Sequence, residues 1–286
     1  VRFSRILLLT AVAASLPALC PGELKLRWTY EETGAASRYF GLGMCIDPSG
    51  DLYLVGSEKF SETDTDRFYA RIEKVSRYLQ WKRWTRTING TGASVYQDSF
   101  RGVASDPRGV GVVAGGSLWS ATTNAPQAVL MYFPGGGSGA TAWSIEAPAD
   151  SINGVAISST SFVFVAGQKS KYGSCFPGSA DTDIWVGKYD FSGSKLAEDT
   201  FTDALCIDDA GTSVAVSPAG NVYVAGYRTV VGNGTDVWLG KYDSDLSLQW
   251  WMTLDGPASS TDYATSVAVA PTGEIVLTGA VSVSAS

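Results

Sequence analysis

One hairpin is written five times along this chain, and that repetition restricts the fold more than any other feature. The copies GLGMCIDPSGDLYLVG, RGVASDPRGVGVVAG, INGVAISSTSFVFVAG, GTSVAVSPAGNVYVAG and ATSVAVAPTGEIVLTG end at Gly56, Gly115, Gly167, Gly226 and Gly279, in steps of 59, 52, 59 and 53 residues. Each copy is a hairpin by its own chemistry. Val214 and Val216 alternate with small residues, as in a strand with one buried face. Ser217-Pro218-Ala219-Gly220 supplies Pro where a turn wants φ fixed and Gly where the chain reverses, and Val222 begins the return strand. Asp47 to Gly50, Asp106 to Gly109 and Ala270 to Gly273 repeat this turn, whereas Ser158 to Ser161 has neither Pro nor Gly.

After a loop of variable length a third strand follows. Two copies are nearly identical, Asp183-Ile184-Trp185-Val186-Gly187-Lys188-Tyr189-Asp190 and Asp236-Val237-Trp238-Leu239-Gly240-Lys241-Tyr242-Asp243, while Arg67 to Val75 and Ala128 to Phe133 are degenerate ones. A polar turn then leads to a fourth strand marked by Trp28, Trp81/Trp84, Trp143 and Trp250/Trp251, with Phe201 expected to stand in for Trp in the remaining copy. Four short strands in about 55 residues, with no helical pattern between them, predict an all-β fold, a β-propeller of four-stranded antiparallel blades. A recurring Trp suits such a fold, because its large ring can dock on the next blade.

The segment Gly220 to Tyr227, then Asp236 to Asp243, then Gln249-Trp250, resembles the bacterial β-propeller repeat called SBBP, and is similar to the delta-60 repeat. The resemblance covers essentially everything after residue 24. It implies an exported bacterial scaffold or binding protein, and it supplies no catalytic residues. About five blades are visible over 24–286, the last incomplete because its final strand is missing. Two readings stay open, a five-bladed ring with a short blade or a truncated piece of a larger ring; truncation is favoured, since an exposed strand edge invites aggregation.

Function classes narrow quickly. The chain has no histidine, which removes Ser-His-Asp and Cys-His catalysis and the usual zinc sites. A net charge of −7 without a Lys/Arg stripe argues against nucleic acid. Arg2 and Arg5 followed by an apolar stretch from Ile6 to Leu19 have the layout of a secretory signal over residues 1–20, too short for a membrane span. The mature protein is therefore expected to be extracytoplasmic: secreted, periplasmic or at the cell surface. Cys20 is placed where a lipid anchor could attach, although Leu19 before it fits poorly. Export would permit a disulfide between Cys175 and Cys206, both in loops, while Cys45 reads as a small buried strand residue.

Residues that recur in every copy should serve the blade. Asp98, Asp150, Asp209 and Asp262 each precede the first Val of their hairpin by five residues, and their carboxylates are expected to accept backbone N–H bonds. Function should sit where the repeat breaks. Trp119, Tyr172, Phe176 and Arg228 lie in the variable loops and make a candidate ligand-binding face for a protein or glycan, set against local packing as the plainer reading. No catalytic residue, metal ligand or cofactor is assigned. The leading expectation is a non-catalytic binding scaffold; the alternatives are a propeller-based enzyme, quinone-dependent or lyase-like, and a non-functional fragment.

Overall fold

A computed structural model of the chain describes residues 38–59, 68–77, 82–91, 98–135, 139, 141–172, 180–202, 207–257 and 260–282. The signal-like segment, Cys20, Phe176, Cys175 and Cys206 lie outside the described residues. Everything described is strand, turn or loop. The first sheet consists of β1 (Arg38–Ile46), β2 (Leu52–Lys59), β3 (Tyr69–Val75) and β4 (Lys82–Ile88). The second holds β5 (Ser99–Ser105), β6 (Gly111–Ser120), β7 (Ala125–Pro134) and β8 (Trp143–Glu146). The third holds β9 (Ser151–Ile157), β10 (Val163–Tyr172), β11 (Ala180–Tyr189) and β12 (Lys195–Phe201). The fourth holds β13 (Ala210–Val216), β14 (Val222–Val230), β15 (Gly234–Tyr242) and β16 (Leu248–Leu254), and β17 (Tyr263–Val269) pairs with β18 (Ile275–Ala280) alone. All pairings between these strands are antiparallel and follow chain order.

The sheets are the blades of a propeller. Their first strands neighbour one another in sequence, β1 beside β5, β5 beside β9, β9 beside β13 and β13 beside β17. Four cores lie between successive blades. Tyr53, Val55 and Ile72 meet Phe100, Val112 and Phe133; Val113 and Leu130 meet Ile152, Val165 and Trp185. Phe164 and Val186 meet Val224, Trp238 and Tyr242, and Tyr223 and Leu239 meet Ala264 and Val267. Blades 2, 3 and 4 therefore bury both faces of their central strands, which is why those strands read as apolar runs, whereas blade 5 packs one face on blade 4.

Strand pairing corrects the repeat in two places. Gly56, Gly167, Gly226 and Gly279 all lie opposite the residue just before a bulge in the first strand, and the second blade places Gly116 there, not Gly115. The cause is the turn. Asp106 N–H bonds to Gly111 O, five residues on, where the other four hairpins close over four, as from Ser217 to Asn221. A Cβ on any of these five glycines would run into a first-strand carbonyl oxygen, that of Ser99 in the case of Gly116. The second correction concerns Phe201. Trp84, Trp143 and Trp250 lie opposite Lys74, Tyr132 and Lys241, whereas Lys188 faces Ala197. Ala197 thus takes the Trp position, and Phe201 corresponds to Ile88 and Leu254.

The recurring Trp-x-Gly-Lys-Tyr strand has a packing reason for each member. The Trp238 ring folds back over its own strand, so that a Cβ on Gly240 would strike it; a Cβ on Gly187 would lie 2.7 Å from the Trp185 ring. Both Trp rings are fully buried against the preceding blade. The lysine points the other way and ties blades together at their lower turns. Lys188 Nζ lies 2.9 Å from Asp245 of the next blade, and Lys74 Nζ donates to Gly135 O at 2.9 Å. Fourth-strand Trp residues cross the same seam. Trp84 stacks on Phe133 at 6.3 Å, and Trp143 Nε1 donates to Phe191 O at 3.2 Å.

Candidate functional site at the ring axis

Every first strand carries one extra residue at its bulge. These are Leu42, Arg101, Asn153, Thr212 and Thr265, the positions skipped in the pairing of β1, β5, β9, β13 and β17. A bulged residue leaves the ladder and can be re-aimed. The five converge on the axis, where three of them, Arg101, Asn153 and Thr212, make hydrogen bonds that step from blade to blade. Arg101 Nη1 donates to Asn153 Oδ1 at 3.0 Å, Asn153 Nδ2 donates to Gly211 O at 2.8 Å, and Thr212 Oγ1 lies 2.7 Å from Ala264 O. The residue after each bulge must be small because the strands touch there. A Cβ on Gly102 would come within 2.7 Å of Val155 N, and one on Gly154 within 2.9 Å of Ser213 Cα.

The first strands enclose a cavity of about 950 Å³. Its wall is uneven. Blade 1 contributes Phe40, Leu42 and Met44, blade 2 contributes Arg101, and blades 3 to 5 contribute the amides and hydroxyls of Asn153, Gln168, Thr212 and Thr265. A second cavity of about 610 Å³ shares Thr212, Tyr227 and Thr265 with the first and extends sideways between blades 4 and 5. It is lined further by Asp208, Thr229, Thr235, Thr261 and Tyr263. Thr182 donates to Asp208 Oδ1 through its amide at 3.0 Å and its hydroxyl at 3.2 Å, which fixes that carboxylate at the rim. Burial, reinforced by the carboxylates of Asp208 and Asp209, pushes the Tyr227 phenol above its ordinary value, so it remains a neutral hydroxyl. Arg101 faces the lumen and stays open to solvent, and partial desolvation by the strands around it draws its guanidinium below its usual value. Arginine keeps its charge regardless.

Three of the four recurring aspartates accept backbone N–H bonds as their repetition predicts, while Asp150 accepts a side-chain hydroxyl instead. Asp98 accepts the Trp119 amide at 2.7 Å and the Gly90 amide at 2.6 Å; Asp209 accepts the Thr229 amide at 2.7 Å. Asp262 accepts the Ser282 amide at 2.6 Å and the Gly256 amide at 2.5 Å, and Asp150 accepts the Ser170 hydroxyl at 2.5 Å. Desolvation raises the Asp98 carboxyl, opposed by its two amide donors, while those at Asp262 hold its carboxyl low. These groups are structural locks on the upper loops.

The loop residues singled out from sequence fall on three blades. Trp119 ends β6 and is half-buried, its carbonyl accepting the Thr91 amide at 2.9 Å. Tyr172 ends β10 opposite Ala180. Arg228 lies in β14 on the side facing blade 3, with its guanidinium 5.6 Å from the centre of the Trp251 ring. Among the described residues, neither cavity is lined by Trp119 or Arg228. Cys45 packs against the first core, and burial pushes its thiol far up, which leaves it unreactive. Among the described residues there is no group of three or more Cys, Asp or Glu that could hold a metal ion. The axial residues escaped the sequence reading, although a signal was there. Leu42, Arg101, Asn153, Thr212 and Thr265 form a variable column directly before a column of Gly or Ser.

Fold and site together define a β-propeller repeat protein with a chemically uneven axial channel. No protein-family model and no curated protein matches the chain. Among solved structures, a chain from a crystal structure of the mitotic checkpoint complex is similar at 12% identity and a TM-score of 0.43, over 89% of this chain and 77% of that one. A likeness at that level bears on neither blade number nor ligand.

Proposed function

We propose that the chain is an exported, non-catalytic propeller of the SBBP kind that binds a protein or glycan ligand at the end of the ring carrying the β2–β3-type hairpins. One observation carries this reading. Side chains that recur from blade to blade are used up in holding loops and seams, whereas side chains that break the repeat converge on a cavity of about 950 Å³ with a cation, amides and hydroxyls in its wall. That volume lies at the upper end of what ligand pockets occupy, and a mostly neutral wall with a few fixed polar groups is what such pockets use for orientation. Trp119, at the tip of blade 2, adds contact area for a ligand too large to sit wholly in the channel.

The charged start and apolar run of residues 1–20 support export. Binding is tested by screening the purified protein against glycan and surface-protein panels, then repeating the positive cases with Tyr227→Leu and Trp119→Ala. The expected result is a ligand whose affinity falls at least about tenfold with Tyr227→Leu, at the channel mouth, and less with Trp119→Ala. A panel with no ligand, or a ligand indifferent to both substitutions, would overturn the reading. Mass analysis of the protein recovered from the exporting cell should find a chain lacking about the first 18 to 20 residues.

A further inference from the structure

Arg101 differs from the protein's other strongly held cations. Arg71 is paired with Glu58 and Glu73, Lys74 with Asp47 and Asp51, Arg108 with Asp106 and Lys188 with Asp245. Arg101 makes no ion pair among the described residues. Its Nε donates to Ser99 Oγ at 3.4 Å and its Nη1 to Asn153 Oδ1 at 3.0 Å, both neutral acceptors. A guanidinium has five N–H donors in a fixed fork, so these two bonds aim the group and leave most of the fork for something else. Among the described residues, the one carboxylate in the same wall, Asp98, is occupied by the amides of Gly90 and Trp119. An oriented guanidinium held by neutral acceptors, without a carboxylate partner and open to the channel, is a receptor for an anion brought from outside.

The rest of the wall says what that anion is attached to. On one side of Arg101 stand the apolar Leu42 and Met44; on the other stand Asn153, Thr212 and Thr265, with the neutral Tyr227 phenol at the mouth. A ligand complementary to all of these carries one carboxylate, a run of hydroxyls and an apolar C–H face. We propose that the channel binds an acidic glycan through a uronate residue, its carboxylate on Arg101 and its hydroxyls toward blades 3 to 5. A peptide C-terminus would satisfy the guanidinium, but it would bring no hydroxyl array to the amide and threonine side of the wall. This inference rests on the binding role proposed above and specifies its ligand class.

Titration calorimetry at low salt tests it with trigalacturonate, trimannuronate and a glucuronate-containing tetrasaccharide, each beside its methyl ester. A neutral trisaccharide and a tripeptide acid complete the set. At least one uronate should bind, with affinity at least about tenfold above its methyl ester, as loss of a charge-assisted bidentate contact requires. Arg101→Met should reduce affinity by a similar factor, while the exposed Lys195→Met should not, and added salt should weaken binding. The ester comparison uses the unaltered protein and so stands whether or not Arg101→Met folds. Equal binding of acid and ester, no uronate binding at all, or a tripeptide acid binding as tightly as the best uronate would overturn the inference. If a neutral glycan or a protein from the wider panel still bound, the binding role would survive without it.

Discussion

The third strand of blade 4 and the third strand of blade 1 occupy the same place in their sheets and present opposite chemistries. Trp238 and Gly240 in β15 form an apolar boss buried against blade 3. The corresponding residues of β3 are Arg71 and Glu73, placed by the pairing of Gly56 with Arg71 and Gly226 with Trp238. Arg71 Nη1 lies 2.9 Å from Glu58 and Nη2 2.5 Å from Glu73, with the Tyr39 ring 4.7 Å from the guanidinium, and all three charged groups are buried. This face looks away from blade 2. The seams between blades are therefore written in aromatic packing, while the outer face of the first blade is written in ion pairs.

Substitutions can break that contrast. Trp238→Ala should cost about 3–5 kcal/mol in urea unfolding, the usual penalty for emptying a large aromatic site in a packed core. Arg71→Ala should cost a comparable 3–5 kcal/mol, for a different reason: two buried carboxylates lose their counter-charge. The two are told apart by rescue. Replacing the trio together, as Glu58→Leu, Arg71→Met and Glu73→Leu, should bring stability back to within about 1 kcal/mol of the unaltered protein, since a well-packed apolar set often equals a buried ionic one. A silent Arg71→Ala would erase the distinction between the two faces.

Gly240→Ala should cost about 1–3 kcal/mol through collision with the Trp238 ring, measured by the same unfolding curves. Lower-turn electrostatics give a third test. Burial pulls the Asp106 carboxyl upward, but the Arg108 side chain and amide and the Ser161 hydroxyl outweigh it and hold its pKa low. A carboxyl held below its unfolded value stabilises the fold above that value, and the contribution fades as pH falls through the folded pKa. Asp106→Asn should accordingly lower Tm at neutral pH, with the gap to the unaltered protein closing as pH drops below about 4. The smallest effect is expected at Ser161, which holds the left-handed turn position at φ 64° where the other hairpins use Gly50, Gly109, Gly220 and Gly273. Ser161→Gly relieves about 1 kcal/mol of backbone strain and forfeits the hydroxyl on Asp106, so the net shift should stay below about 1 kcal/mol.

The hairpins, the Trp-x-Gly-Lys-Tyr strand and the loop-fixing aspartates were legible because each is dictated by local needs that recur with the blade. The frame of the second blade was not. Gly115 and Gly116 are adjacent and identical, and only the longer Asp106–Gly111 turn decides which one meets the bulge. Phe201 misled for a related reason. It is aromatic and near the right place, but its strand pairing puts Ala197 at the Trp position, while Phe201 itself packs 5.0 Å from Trp238 and 5.2 Å from Trp251. The axial site was hidden by its own variability. Arg101 looks like an ordinary strand residue until the bulge takes it out of the ladder.

That bulge has an evolutionary consequence. Because each lumen residue belongs to no cross-strand pair, it can be exchanged without altering the strand register or the turns of its blade. Drift at these five positions changes the wall of the cavity while the scaffold stays put, so related chains are expected to differ there before they differ in shape.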